Sequence, residues 1–276
     1  MAGLDLPVGE LATFAAAIAA AGVVAGLMAG IFGIGGGAVL VPVFYQVFGM
    51  LGIDEAVRMH LSVGSSLGII VPTSIRSFLG HKARGAVDMD LLKSYLIPVP
   101  AGVVLASLTA AYISSAGLRT IFAVITLLVA FRLIFNRESW KIGSDIPGNP
   151  GRAFVGALIG YLSTLMGIGG GVLNNTFMTL FGRPMHQAVA TSSGVGVLIA
   201  IPGTIGYIWA GWGDPLLPVA STGFINWIAV ALIIPIALVV TPYGVRIAHA
   251  LKKRQLEIGF GLFCIFVSVR FFLSLI

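Results

Sequence analysis

The sequence contains very little charge. Charged residues make up 9% of the 276, whereas hydrophobic residues make up 58%. A soluble domain carries about 25% charged residues, so this chain has too few of them to cover a surface in water. The mean hydropathy is +1.03. The composition therefore predicts an integral membrane protein with about six to eight apolar segments, at roughly 20 residues for each span.

Other absences exclude whole classes of function. The lone cysteine, Cys264, rules out a disulfide framework and a cysteine metal site. No basic patch is interleaved with aromatic residues, so we expect no nucleic-acid partner. All ten acidic residues fall at segment ends or in loops, so a buried carboxylate site for sodium or protons is not expected. We expect no metal and no cofactor.

A glycine motif occurs twice. Gly-Ile-Gly-Gly-Gly stands at residues 33–37 and again at residues 167–171, each time inside an apolar stretch. Ser65-Ser66 in the first half roughly matches Thr191-Ser192 in the second, and Gly85 roughly matches Gly211. The polar stretch between the halves predicts a cytoplasmic linker at residues 137–152, between one membrane repeat at 1–136 and a second at 153–276.

The glycine runs predict breaks in membrane helices. A run with four glycines cannot remain stably helical, since each glycine costs about 1 kcal/mol relative to alanine. The N–H groups at the start of the next half-helix, together with the helix dipole, form a site for an anion. The alternative is that glycines only allow helices to pack closely, which suits Gly22, Gly26, Gly30, Gly156 and Gly160.

Two topologies are open. If each broken segment crosses the membrane, the chain has eight spans in parallel repeats, and most basic loops lie outside. If each segment folds back, each half crosses three times and most basic residues lie inside, as the positive-inside rule favours. We therefore predict an all-α membrane protein of two inverted repeats, each a glycine-broken re-entrant helix hairpin plus three transmembrane helices.

Polar groups near the glycines complete the candidate site. Hydroxyl and amide side chains can donate to an oxyanion, although they also commonly bond to their own helix. Arg76 either meets the substrate or extends to the membrane surface. The candidate substrate-binding residues are Gly33, Gly35, Gly36, Gly37, Ser65, Ser66, Arg76, Gly167, Gly169, Gly170, Gly171, Asn174, Asn175, Thr191 and Ser192.

These motifs give the chain a family resemblance. It resembles the sulfite exporter TauE/SafE family of anion permeases in the repeated glycine run, in the Ser65–Thr73 stretch with Pro72, and in Lys82-x-Arg84-Gly85. The resemblance covers residues 11–276. It implies a permease for sulfur oxyanions or organosulfonates such as sulfite, sulfoacetate or thiosulfate, usually an exporter, in a bacterial-type inner membrane.

We therefore expect a multi-pass secondary transporter whose partners are a small anionic substrate and the lipid bilayer, with a homo-oligomer left open. An anion channel of the same build, or an uptake permease for thiosulfate or a carboxylate, is the alternative. An intramembrane serine hydrolase using Ser66 or Ser193 with His81 or His186 is disfavoured, because Ser66 and His81 lie at opposite ends of one span and nothing marks an activated nucleophile. We therefore predict that the protein is not an enzyme.

Overall fold

The structure, a computed structural model, is almost entirely helical. It describes residues 16, 19–20, 22–27, 31, 36–135, 141–250 and 253–275. Residues 22–27 are helical and precede the first helix that we number. Within the described ranges the elements are α1 Gly37–Met50, α2 Glu55–Ala83, α3 Met89–Ser94, α4 Pro98–Ala110, α5 Ser115–Ile134, α6 Gly151–Leu165, α7 Gly171–Leu180, α8 Met185–Ala210, β1 Ser221–Thr222, β2 Ile225–Asn226, α9 Trp227–Ala250 and α10 Lys253–Leu273.

Three of the described helices are long and apolar enough to cross a membrane: Ser115–Ile134, Met185–Ala210 and the part of α9 from Trp227 to Gly244. Helix α2, with 29 residues, would extend about 43 Å at 1.5 Å per residue. In contrast, α7 has 10 residues and extends about 15 Å, roughly half of a hydrocarbon core about 30 Å thick. Long helices and half-length helices therefore coexist, as the glycine runs predict.

Polar side chains determine where several helices begin. The carboxylate of Asp54 accepts from the N–H of Ala56 at the start of α2, at 2.8 Å. The hydroxyl of Ser114 accepts from the N–H of Gly117 at the start of α5, at 3.1 Å. These contacts satisfy N–H groups that have no partner within the helix.

The apolar run at residues 91–113 is divided between two helices. The chain forms the short α3, turns at residues 95–97 and begins α4 at Pro98. Proline has no N–H and its ring clashes with the preceding turn, so it is tolerated in the first turn of a helix and breaks a helix interior.

Corresponding helices of the two halves pack antiparallel. In the pair α2 and α8, Gly64 lies against Tyr207, whereas Ser74 lies against Gly196. The start of each helix therefore meets the end of the other. The same holds for α5 and α10, where Arg119 donates to the carbonyl of Ser274 at 2.7 Å. Near the other end of that pair, Arg254 donates to the carbonyl of Leu133 at 3.0 Å.

Two further contacts join opposite halves in parallel. Helix α6 packs on α4, where Gly160 faces the Val99 carbonyl, and residues 22–27 pack on α9, where Gly22 and Gly26 face Ile236 and Val240. A Cβ on Gly160 would lie 2.2 Å from the Val99 oxygen, so only glycine permits this approach. The prediction that these glycines serve close helix packing is confirmed, whereas Gly30 lies outside the described residues.

Candidate functional site

The helices α1 and α7 begin in the same way. Gly36 precedes α1 with φ 78° and ψ −8°, and Gly170 precedes α7 with φ 73° and ψ −12°. This left-handed backbone conformation costs other L-residues roughly 1–2 kcal/mol, whereas glycine adopts it freely. The repeated sequence motif thus corresponds to a repeated backbone turn that starts a short helix.

The two turns meet inside the protein. The carbonyl oxygen of Gly167 lies against the α-carbon of Gly37, so that a Cβ there would be only 2.2 Å from it. The hydroxyl of Ser66 donates to the same oxygen at 2.8 Å. Ser66 and residues 165–172 are all buried. A break of one half is therefore packed directly against the start of the short helix of the other half.

The start of α7 has N–H groups available for a ligand. Asn174 donates its N–H to the carbonyl of Gly170 at 2.9 Å, but the N–H groups of Gly171, Val172 and Leu173 form no hydrogen bond within the part of the chain that the structure describes. Such groups carry the positive end of the helix dipole, equivalent to about half an elementary charge. This helix end can therefore bind an anion without a basic side chain.

A chain of polar side chains lies in the next turn of α7. Asn174 Nδ2 donates to Ser192 Oγ at 2.8 Å, and Ser192 Oγ donates to Asn175 Oδ1 at 2.7 Å. Asn174 is fully buried, and its Oδ1 has no hydrogen-bond partner among the described residues. Ser163, near the end of α6, is also buried, and its Oγ likewise has no hydrogen-bond partner among those residues. Turning the Asn174 amide by 180° would present its Nδ2 to a ligand, and Ser192 would then donate its single hydrogen to Asn174 Oδ1 in place of Asn175 Oδ1.

Ser65 and Thr191, which match in the repeat, make matching contacts. The Ser65 hydroxyl accepts from the N–H of Asn226 at 3.0 Å, and the Thr191 hydroxyl accepts from the N–H of Asp88 at 2.9 Å. Each contact joins the long central helix of one half to the segment that begins a helix of the other half. Both hydroxyls are thus engaged with backbone rather than facing an open site.

The second half contains a counterpart of Gly85, but it is not the glycine that the sequence suggested. Asp88 caps α3 by accepting from the N–H three residues later, and Asn226 caps α9 in the same way. Gly85 and Gly223, three residues earlier in each case, both have positive φ. Residues 85–88 therefore correspond to residues 223–226, and Gly211 is not the counterpart of Gly85. The shared Gly-x-x-Asp/Asn pattern was the sequence signal for Asp88 and Asn226.

The remaining candidates are placed as follows. Gly33 and Gly35 lie outside the described residues. Gly169 is buried, and its carbonyl faces Gly196 of α8. The side chain of Arg76 is exposed on α2 and forms no ion pair within the described ranges. The structure therefore brings Gly37, Ser66 and Gly167 together directly, whereas Arg76 stands apart from them.

The described residues offer no metal centre. No group of three or more His, Cys, Asp or Glu side chains within those ranges is placed to hold a metal ion. The buried polar groups at the glycine turns are amides and hydroxyls instead. Such neutral donors can stabilise a negative solute, because hydrogen bonds to a charged acceptor are roughly twice as strong as those between neutral groups.

Apolar spans around buried helix starts with free backbone amides are typical of membrane transporters. The comparisons with known proteins agree: the family model for the sulfite exporter TauE/SafE matches residues 18–271. The chain belongs to this family. No solved structure was found to match it significantly.

Several relatives have the same general description. A protein of Haemophilus influenzae called "Probable membrane transporter protein" is 30% identical over 271 residues, which cover 98% of each chain. Proteins with the same description from Methanocaldococcus jannaschii and Bacillus subtilis are 27% and 23% identical, over 83% and 82% of this chain and 84% of their own lengths. These names describe transporters rather than enzymes, in line with the prediction.

Proposed function

We propose that the protein is a secondary transporter of small sulfur-containing anions such as sulfite, sulfoacetate or another organosulfonate. It exports them by alternating access across a bacterial inner membrane. The observation that carries this proposal is the pair of glycine turns that start half-length helices in the buried centre, in direct contact at Gly37 and Gly167. The family's description, sulfite exporter, supports the substrate class.

The antiparallel packing of α2 with α8 and of α5 with α10 supports two inverted repeats, residues 1–136 and 153–276, joined by the linker 137–152. Corresponding helices of parallel repeats would run in the same direction. In transporters with inverted repeats the substrate lies where the repeats meet, and one repeat rocks against the other around it. The contact between Gly37 and Gly167 lies at this junction.

The contacts of the linker support re-entrant hairpins. The N–H of Ile142 donates to the carbonyl of Leu180 at 2.9 Å, so the end of α7 lies beside the linker that leads into α6. Arg152, at the start of α6, donates to the carbonyl of Pro147 at 3.1 Å. Residues 142–147 can bridge at most about 20 Å between the end of α7 and the start of α6. If α6 and α7 continued each other through the membrane, those two ends would be about 37 Å apart, so the linker contacts favour a hairpin.

A topology experiment tests the arrangement. Single cysteines at Gly85 and at Gly213, in a variant without Cys264, are labelled from each side of sealed vesicles with a membrane-impermeant maleimide. The three-crossing arrangement predicts that the two positions are labelled from opposite sides. Labelling of both from the same side would refute it and would favour parallel repeats.

The substrate is held, in this proposal, by the free N–H groups at the start of α7 and by neutral side chains beside them. Asn174, Ser192 and Asn175 would add donors. Ser66 would hold the Gly167 turn in place rather than bind the anion. A site of this type favours a tetrahedral or pyramidal oxyanion, because its several oxygens can accept from converging donors.

The function is tested with purified protein in proteoliposomes, by measuring flux of labelled sulfite, sulfoacetate and thiosulfate. Gly170→Leu places a side chain on the positive-φ turn of α7, where a Cβ would lie 2.6 Å from Ile199. Gly213→Leu is the matched control, since Gly213 also has positive φ but no atom lies within 4 Å of its would-be Cβ. We expect Gly170→Leu to abolish flux and Gly213→Leu to retain it.

Three results would change the proposal. Equal flux in both variants would place the anion site elsewhere. Flux that does not saturate, with large single-channel currents, would identify an anion channel of the same build instead of a carrier, whereas one-for-one exchange supports the carrier. Inward accumulation of thiosulfate or a carboxylate would identify an uptake permease.

A further inference from the structure

His60 is a buried ionisable side chain that the anion site does not use. It lies in the second turn of α2 and is 5% exposed. Its Nε2 lies 3.1 Å from the carbonyl oxygen of Ala110 and 2.9 Å from that of Ile113. Because both neighbours are acceptors, Nε2 must carry the hydrogen. The other ring nitrogen, Nδ1, is then bare in the neutral ring, and it has no hydrogen-bond partner among the described residues.

A segment from the opposite half covers this ring. The Phe224 ring lies on the imidazole with its centroid 4.8 Å away. Phe224 donates its N–H to the carbonyl of Tyr207 at 3.0 Å, and two residues later Asn226 donates its N–H to the Ser65 hydroxyl. The carbonyl of Phe224 also lies against Gly64, where a Cβ would be 2.0 Å away. Residues 223–226 therefore seal His60 in a tightly fitted closed state.

The charges around the ring come from few groups. On α2 itself, Glu55 pairs with Arg119 and Arg58 donates to the carbonyl of Ile53. The hairpin that leads to residue 223 contributes the charge of Asp214, and α8 contributes the neutral phenol of Tyr207. Among the described residues no carboxylate forms an ion pair with His60. A proton on Nδ1 would therefore be buried in the closed state without a paired acid.

We propose that His60 is a proton-binding site that makes the opening of residues 223–226 depend on pH, because it binds H⁺ at Nδ1 only when these residues move away. This inference rests on the transport function proposed above. The proton comes from water on the side to which the segment opens, and closure of the segment returns it to water. In water an imidazole titrates near pH 6.5, so exposure of the ring makes protonation possible in the physiological range.

The coupling follows from linkage. A ligand that binds one of two conformations more tightly shifts the population toward that conformation. The closed state disfavours the charged ring because burying a charge is costly even with the backbone groups of Ala110, Ile113 and Ala56 beside it, whereas water stabilises it in the open state. Acidification must therefore favour opening of residues 223–226, and opening must by the same amount favour proton binding.

The second half provides a natural control. The two halves align so that His186 of α8 corresponds to His60, but the side chain of His186 is exposed. His186 is therefore not enclosed by a covering segment as His60 is, and pH-dependent opening is expected only at His60.

The test does not require a known substrate. In a Cys264→Ala background, a single cysteine replaces Thr222, next to the moving segment. Its rate of maleimide labelling is measured from pH 8 to pH 5 and divided by the rate in the same protein carrying His60→Gln. This ratio cancels the pH dependence of the thiol. We expect the ratio to rise by about fivefold or more on acidification, the lower end of typical coupling.

Each result decides the inference. A ratio that does not change with pH overturns it, and so does a similar change of the ratio when His186→Gln replaces His60→Gln. His60→Asn serves as a second variant should His60→Gln fail to fold, which thermal unfolding checks. If no anion is transported but the pH-dependent ratio persists, the proposed transport function fails and the proton-linked opening stands.

Discussion

The substitution Gly37→Ala tests the contact on which the centre of the protein is built. The new Cβ would lie 2.2 Å from the carbonyl oxygen of Gly167 and 3.0 Å from the Ile168 α-carbon. Real Cβ atoms almost never come closer than 3.0 Å to another heavy atom. The start of α1 and the Gly167 turn must therefore move apart by about 1 Å, because both neighbours are backbone atoms that cannot rotate away.

The cost can be worked out from the local contacts. Overpacking of this kind costs about 1–3 kcal/mol. Moving the Gly167 carbonyl also weakens its hydrogen bond from Ser66, which is worth about 1 kcal/mol. Alanine regains up to about 1 kcal/mol of helix propensity. The free energy of unfolding should therefore fall by about 1–3 kcal/mol.

The assay compares Gly37→Ala with Gly80→Ala. Gly80 lies in α2 with no atom within 4 Å of its would-be Cβ, so its replacement has the propensity gain without the clash. Unfolding in mild detergent, followed by circular dichroism, should place the two variants about 2–4 kcal/mol apart. Flux of Gly37→Ala should also fall, since the anion site moves. Equal stability of the two variants would refute the close contact of the two turns.

Further outcomes follow from single contacts. Thr191→Val should lower the free energy of unfolding by about 1–3 kcal/mol, since the N–H of Asp88 loses its partner, while Thr191→Ser keeps the wild-type value in the same unfolding assay. Arg119→Ala should lower the free energy of unfolding far more than Glu55→Gln in that assay. The arginine is 4% exposed and also holds the end of α10, whereas the Glu55 side chain is 59% exposed. Equal effects of the two substitutions would contradict this. Asn174→Ala should raise the half-saturating anion concentration in the flux assay more than it lowers stability, and an effect on stability alone would make the residue structural.

Some local structure was readable from the sequence because it depends on neighbouring residues only. The two Gly-Ile-Gly-Gly-Gly runs predicted a break followed by a helix, and α7 begins within the second run at Gly171. One prediction failed for an equally local reason: the counterpart of Gly85 is Gly223 rather than Gly211, because the second half has a longer hairpin before its capping residue. A proline is tolerated in the first turn of a helix, and α4 accordingly begins at Pro98.

Partners across the two halves were not readable in this way. Nothing in the residues around Ser65 or Thr191 indicates that their hydroxyls hold Asn226 and Asp88, since the contacts join positions 161 and 103 residues apart. The sequence likewise does not distinguish His60 from His186, and only the structure shows that His60 is buried under Phe224.

By itself, the sequence determined the membrane environment, the helical class, the duplicated glycine turns and the neutral chemistry of the centre. These follow from composition and from backbone preferences, which act over a few residues. Tertiary structure alone decided which glycine faces which carbonyl, which hydroxyls are engaged and which histidine is enclosed. Those outcomes depend on how whole helices pack, and the close fit of backbone to backbone at Gly37 and Gly167 exists only once both halves are folded together.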